Sequence, residues 1–294
     1  MYLAARRRVV RVVFSLHPQM LLAMRMTAMD RRQVLGVVLC LAFATASAAA
    51  EADTAFGTLL SKYLTEGPDG VNRVDYQRWK SAAGDIAALD AYIRQLGTRM
   101  PSKMARDDAF AFWCNLYNAI TLKVVLDRYP VASIRDIKSE GLFDPKAYIG
   151  PWRTKRITIE SRSYSLDDIE NEVLRPTFKD PRVHYAINCA SYGCPNLRSK
   201  PWTAVTLSAD LDLAARDYIN HPRGVAVLPG KRLKVSSIYK WFAEDFGGTD
   251  AATIAHLRKY AAPKLAAALA ANPVIGEDAY DWSLNDVRNR AKSR

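Results

Sequence analysis

Residues 107–128, DDAFAFWCNLYNAITLKVVLDR, are apolar on nearly every side. A helix of that kind belongs inside a core, because no face of it is suited to water. The rest of the chain must therefore wrap around this stretch. Pro130 lies just past its end and stops it.

The pieces available for wrapping are a mixture. Helical spacing marks 54–65 and 85–96, with the loop EGPDGVN and the short piece VDYQRW between them. RTKRITI and RSYS, on either side of Glu160-Ser161, read as a hairpin. Residues 165–175 form a helix opened by Ser165, with Asp168 placed to complete a capping box. Residues 183–188 alternate like a strand and run into a loop rich in Gly, Ser and Pro. VAVL and KRLKV make a second hairpin around Pro229-Gly230, and helices are expected at 208–220, 236–246 and 250–270. Hairpins joined to helices, without repeating βαβ units, predict an α+β fold. The expectation is one mostly helical domain, 51–294, around a small antiparallel sheet.

The front of the chain reads differently. Arg31-Arg32, an apolar run from Val34 to Phe43 and the small residues ATASAAA have the order of a secretory signal over 29–50. Residues 1–28 read as an upstream start-codon error. Export by the general or the twin-arginine route stays open. The apolar run is short for a bilayer span, which needs about 20 residues. No transmembrane segment is expected after signal cleavage. This leader also carries half of the charge. Residues 1–50 hold seven Arg, one Asp and no Lys, so +6 of the total +12 lies there. The remaining Lys and Arg are scattered among acids, which argues against a nucleic-acid partner. A small molecule or protein of the cell envelope fits a mildly basic exported chain better.

Chemistry concentrates in RVHYAINCASYGCPNL, residues 182–197. His184, Cys189 and Cys194 fall within it, although the whole chain has only four His and four Cys. Glu170 sits in the middle of the apolar stripe Leu166, Ile169, Val173 and Leu174, where a carboxylate needs a partner or a proton. His184, Arg175 and Arg182 are its candidate partners. Three readings follow. Cys189 is a nucleophile with His184 as base and Glu170 as orienting acid, attacking an acyl or amide carbon. Alternatively, Cys189 and Cys194 form a disulfide, which export favours. The third is a metal held by His184, Cys189, Cys194 and Glu170, but their spacing matches no standard ligand pattern, so no metal is assigned. Strict alternation would set Cys189 opposite to His184, and the loop must then turn the thiol back.

Within the long apolar stretch, Asn115 and Asn118 lie one turn apart and need hydrogen-bond partners. Together with Asn188 they are candidates for positioning a substrate. Cys114 reads as an inert core cysteine. Trp241, Phe242 and Phe246 read as core, with Asp245 beside them as a cap or a binding group. No phosphate-cradling glycine motif, G-x-S-x-G or H-E-x-x-H occurs, so no cofactor is implied.

Five ordered blocks resemble a known family: FWCNLYNAITL, YSLDDIENEVLR, VHYAINCASYGCPNL, SSIYKWFAEDFGG and YDWSLND. The set is similar to the domain of unknown function 547 family over roughly 70–285. The resemblance implies the same watch positions: Asn115, Asn118, Glu170, His184, Asn188, Cys189 and Cys194. It implies no activity. One departure is Cys114, where the family usually has an aliphatic residue. Two functional classes stay open: a Cys/His-dependent hydrolase or transferase, and a non-catalytic periplasmic binding module with a Cys189–Cys194 disulfide.

Overall fold

Helix α4 (Arg106–Arg128) is buried without a break from Ala109 to Leu122. Asp107 and Asp108 in its first turn and Arg128 in its last complement the helix dipole. Tyr129 is extended, as expected before Pro130, and ends it. These details come from a computed structural model that describes residues 50–138, 150–271 and 273–289. The start-codon and leader readings fall outside the described residues. Residues Ala49–Arg294 cluster as one compact unit. Among the described residues, α4 is the one helix long and apolar enough to cross a membrane, and its burial gives that apolarity another use.

Around α4 gather α1 (50–63), the hairpin β1 (Leu64–Glu66) and β2 (Asn72–Val74), α2 (Tyr76–Lys80) and α3 (Ala83–Gly97). Phe56, Trp79, Leu89, Leu116 and Leu126 belong to one buried cluster, with Tyr63 stacked on Trp79 at 4.5 Å. The hairpin β3 (Ile157–Ile159) and β4 (Arg162–Tyr164) forms where expected. Glu160 and Ser161, at φ 48° and 69°, supply the two left-handed positions that a two-residue turn needs.

The next helix begins with the predicted capping box, Ser165 with Asp168. It is not uniform. α5 (Leu166–Asp168) passes into a π turn, Ile169–Leu174, and then into α6 (Arg175–Phe178). Pro176 explains this. Proline has no N–H to give and its ring crowds the carbonyl four residues back, so the helix widens before it. The Arg175 N–H reaches back to Glu170 O, five residues away.

Segment 183–188 is not a strand. Val183–Ala186 form a one-turn helix, α7, and Ile187 then turns extended. Six residues of alternation are too few to separate the two conformations when tertiary contacts decide. Here neighbouring side chains enter different cores: Val183, Ala186 and Ile187 join the α4 cluster, whereas Tyr185 joins a second one. That second cluster is built by α8 (Leu207–Ile219), β5 (Val225–Leu228), β6 (Arg232–Ser236), α9 (Ile238–Trp241), α10 (Asp250–Tyr260) and α11 (Pro263–Ala270). β5 pairs antiparallel with β6, and β7 (Val274–Ala279) adds in parallel on its other side. The expected helix at 236–246 is α9 followed by a 3-10 turn, and 250–270 is broken at Pro263. The α+β architecture holds, with three small sheets among the described residues in place of one.

After β7 the chain returns to the α4 side. Leu284 bridges Ser191, and Asp286 bridges Val74. This return joins the second cluster to the loop that follows α7.

Candidate functional site

The loop after α7 is shaped by asparagines. Asn118 donates to Ala186 O at 3.0 Å and accepts from the Asn188 N–H at 2.8 Å. Asn188 accepts from the Ala190 N–H at 2.8 Å and donates to Pro195 O at 2.7 Å, closing the loop on itself. Asn115 makes the same two-sided bond to the backbone of Trp202, at 2.9 and 2.8 Å. All three amides are buried and spent on backbone groups. Through these bonds they hold loops, and none of the three lines the cleft described below.

Ala190, at φ 60°, bends the loop so that Cys189 and Cys194 face each other. The backbone N–H of Cys189 donates to Cys194 Sγ at 3.0 Å. Tyr280 OH lies 3.1 Å from Cys189 Sγ and 3.0 Å from Cys194 Sγ. Ser191 Oγ is 3.3 Å from Cys189 Sγ and donates to Tyr280 OH at 2.9 Å. The expected disulfide is not formed: both residues carry free thiols, with an N–H and two hydroxyls arranged around the sulfurs. Gly193 lets the return segment approach, since a Cβ there would meet the Asp281 backbone at 2.9 Å. Arg223 grips the loop on both sides of Cys194, donating to Tyr192 O at 3.1 Å and to Asn196 Oδ1 at 2.6 Å.

The two thiols differ. Cys194 is buried, and Cys189 keeps some surface in the cleft described below. Burial raises the Cys189 thiol well above its ordinary range, and the neighbouring sulfur adds to this. Burial also opposes ionisation of Cys194, but hydrogen bonds from Cys189, Ser191 and Tyr280 outweigh it and bring that thiol down. The same contacts thus push the two thiols in opposite directions, the inner one toward ionisation and the outer one away from it. Cys114, buried in α4, has its thiol pushed up by burial and takes no part.

A cleft of about 210 Å³ opens onto this pair. Glu170, His184, Cys189 and Cys194 all line it. No hydrogen bond among the described residues joins His184 to either cysteine or to Glu170. His184 Nε2 instead meets Asp245 Oδ2 at 2.7 Å, and its ring stacks on Phe242 at 4.3 Å. Asp245 also accepts from Arg175 Nε at 2.5 Å. Burial alone would raise Asp245, but these two partners pull it down to about 2. Burial lowers His184 in spite of Asp245. Glu170, carried by the π turn, accepts from Tyr117 OH at 3.3 Å, not from His184, Arg175 or Arg182. Arg182 is engaged by Asp180 and Asp212. Burial pushes Glu170 up to about 7, with Arg175 and Tyr117 opposing.

The remaining wall is aromatic. Trp152, Trp241, Phe242, Tyr280 and Trp282 line it, with Trp241 on Trp282 at 5.5 Å and Trp152 edge-on to Trp282 at 5.7 Å. Trp241 is 50 % exposed, not core as its neighbours in sequence suggested, whereas Phe246 is buried. Tyr280, Ser191 and Tyr117 were not singled out by sequence. Tyr280 lies 91 residues from Cys189, and only its place in the block YDWSLND hinted at it. A larger groove, about 570 Å³, runs along α8 and the β1–β2 turn, but it holds no nucleophile facing a proton acceptor. Among the described residues no three His, Cys, Asp or Glu converge as metal ligands.

No curated protein and no solved structure matches the chain. A family model described as "Protein of unknown function, DUF547" matches residues 101–219, a narrower span than the five blocks suggested. It takes in α4, the Glu170 helix, the thiol loop and α8, and leaves out Trp241, Asp245, Tyr280 and Trp282. Over residues 101–219, the chain resembles the DUF547 family.

Proposed function

We propose that the cleft is the site of a thiol-dependent hydrolase or transferase acting on an acyl or amide bond, in a protein that works after export. One observation carries this reading. Cys189 is open to the cleft with Cys194 Sγ, which accepts hydrogen bonds, beside it, and Glu170 lines the same space. In the proposed reaction Cys194 takes the proton of Cys189 as Cys189 Sγ bonds to the acyl carbon. Glu170, protonated about half the time near neutrality, gives its proton to the departing amine or alkoxide as that bond breaks. Water or a second nucleophile then attacks the thioester. Glu170 takes a proton from it, and Cys194 returns its own to Cys189. His184 has no step here, because no hydrogen bond among the described residues joins its ring to either thiol.

Iodoacetamide labelling from pH 5 to 9, without reductant, tests the reading. One thiol of the pair should alkylate below pH 7 faster than free cysteine does, and replacing its partner with Ser should remove that advantage. Ordinary reactivity at both thiols would sink the proposal. The aromatic lining favours a second reading, a non-catalytic envelope binding module. On that reading the cleft binds a ligand tightly while Cys189→Ala leaves affinity and all turnover unaffected.

A further inference from the structure

The charges facing the cleft are one-sided. Asp167, Glu170 and the thiol pair contribute negative charge or the capacity for it, and no Lys or Arg is among the described residues lining it. Asp167 accepts from Asn171 on one oxygen, at 3.0 Å, and its other oxygen has no partner among the described residues. Arg175, whose charge acts on Glu170, donates to Asp245 and Asn171. His184 is kept toward its neutral form, and Tyr117 and Tyr280 hold their protons.

The rings agree with the charges. An aromatic face attracts a cation, most strongly at Trp and where water is excluded. Two rings that line the cleft already carry a cation. Arg135 lies over Trp282 at 5.3 Å and Arg175 over Phe242 at 4.7 Å. Trp241, half exposed at the mouth, has no such partner among the described residues. The volume, about 210 Å³, is below that of a drug-sized site and suits a small group or the end of a larger molecule.

We propose that the cleft receives the ammonium end of its substrate, between the tryptophan wall and Asp167, so that the bond reaching Cys189 belongs to an amine-bearing acyl compound or amide. This rests on the thiol-dependent reading for its chemistry, but the binding part can be tested without turnover. Three probes of one shape differ only in charge: choline, its uncharged carbon isostere 3,3-dimethylbutan-1-ol, and 3,3-dimethylbutanoate. Each is titrated into the purified protein and followed by tryptophan fluorescence. Choline should bind at least about ten-fold more tightly than the alcohol, and the carboxylate should not bind. Choline should also slow alkylation of Cys189 by uncharged iodoacetamide. Trp241→Ala and Asp167→Asn should each weaken choline more than they weaken the alcohol. Equal affinity for choline and the alcohol, preference for the carboxylate, or no saturable effect of choline at about 10 mM would overturn the proposal. Inert thiols with intact choline selectivity would instead overturn the reaction and keep the ligand class.

Discussion

The Cys189 backbone N–H donates to Cys194 Sγ at 3.0 Å, so the outer cysteine holds the inner one by its main chain while offering its own thiol to the cleft. Mutating the Cys189 side chain therefore leaves that donor in place. Among side chains, the Cys189 thiol does most to bring Cys194 down, followed by the hydroxyls of Ser191 and Tyr280.

Tyr280→Phe removes one hydroxyl and keeps the ring. A hydrogen bond to a charged group is worth about 1.5–3 kcal/mol, and one pH unit corresponds to about 1.4 kcal/mol. The pH at which the pair begins to alkylate should rise by about one unit. An unchanged pH profile would show that Tyr280 only packs.

Glu170 makes stability depend on pH with a definite sign. Its folded value, about 7, lies above that of an unfolded glutamate, about 4.3. The folded state then binds the extra proton, and stability falls as pH rises from about 4.5 to 7. The loss is on the order of 2 kcal/mol, since the carboxyl keeps some contact with the cleft. Urea unfolding at pH 5 and pH 8 should show this loss in the natural protein and a smaller one in Glu170→Gln.

His184 and Asp245 form a unit separate from the thiols. Asp245→Ala strands a buried ring and Arg175, which should cost about 3 kcal/mol. Asp245→Asn, a milder change, and His184→Gln should leave the rate and pH profile of Cys189 alkylation unaltered. A lost rate advantage in His184→Gln would restore His184 as the base.

Export is read from residues 29–50 alone. Protein recovered from the envelope fraction should begin between Ala49 and Asp53 on N-terminal sequencing. An intact leader on cytoplasmic protein would end that proposal.

Local chemistry was legible in the sequence. The all-round apolarity of 107–128, the Ser165–Asp168 box and the Glu160-Ser161 turn each depend on residues a few positions apart, and each formed as expected. The π turn was written in Pro176, but a helical wheel with fixed spacing hides it. What sequence could not give was pairing across distance. Glu170 needed a partner, yet its hydroxyl donor lies 53 residues away in Tyr117, and His184 found Asp245 at a separation of 61. The strand-like pattern at 183–188 failed because its side chains serve two cores at once, which no single face can express.

The long reach from Cys189 to Tyr280 also sets an order of events. Tyr280 is synthesised 91 residues after Cys189, an interval of roughly 5 to 18 seconds at the usual pace of translation. Until residues 280–286 dock, the thiols lack their shared hydroxyl and the cleft lacks two of its rings. The arrangement proposed for thiol reactivity therefore depends on a segment far along the chain folding back onto the loop after α7.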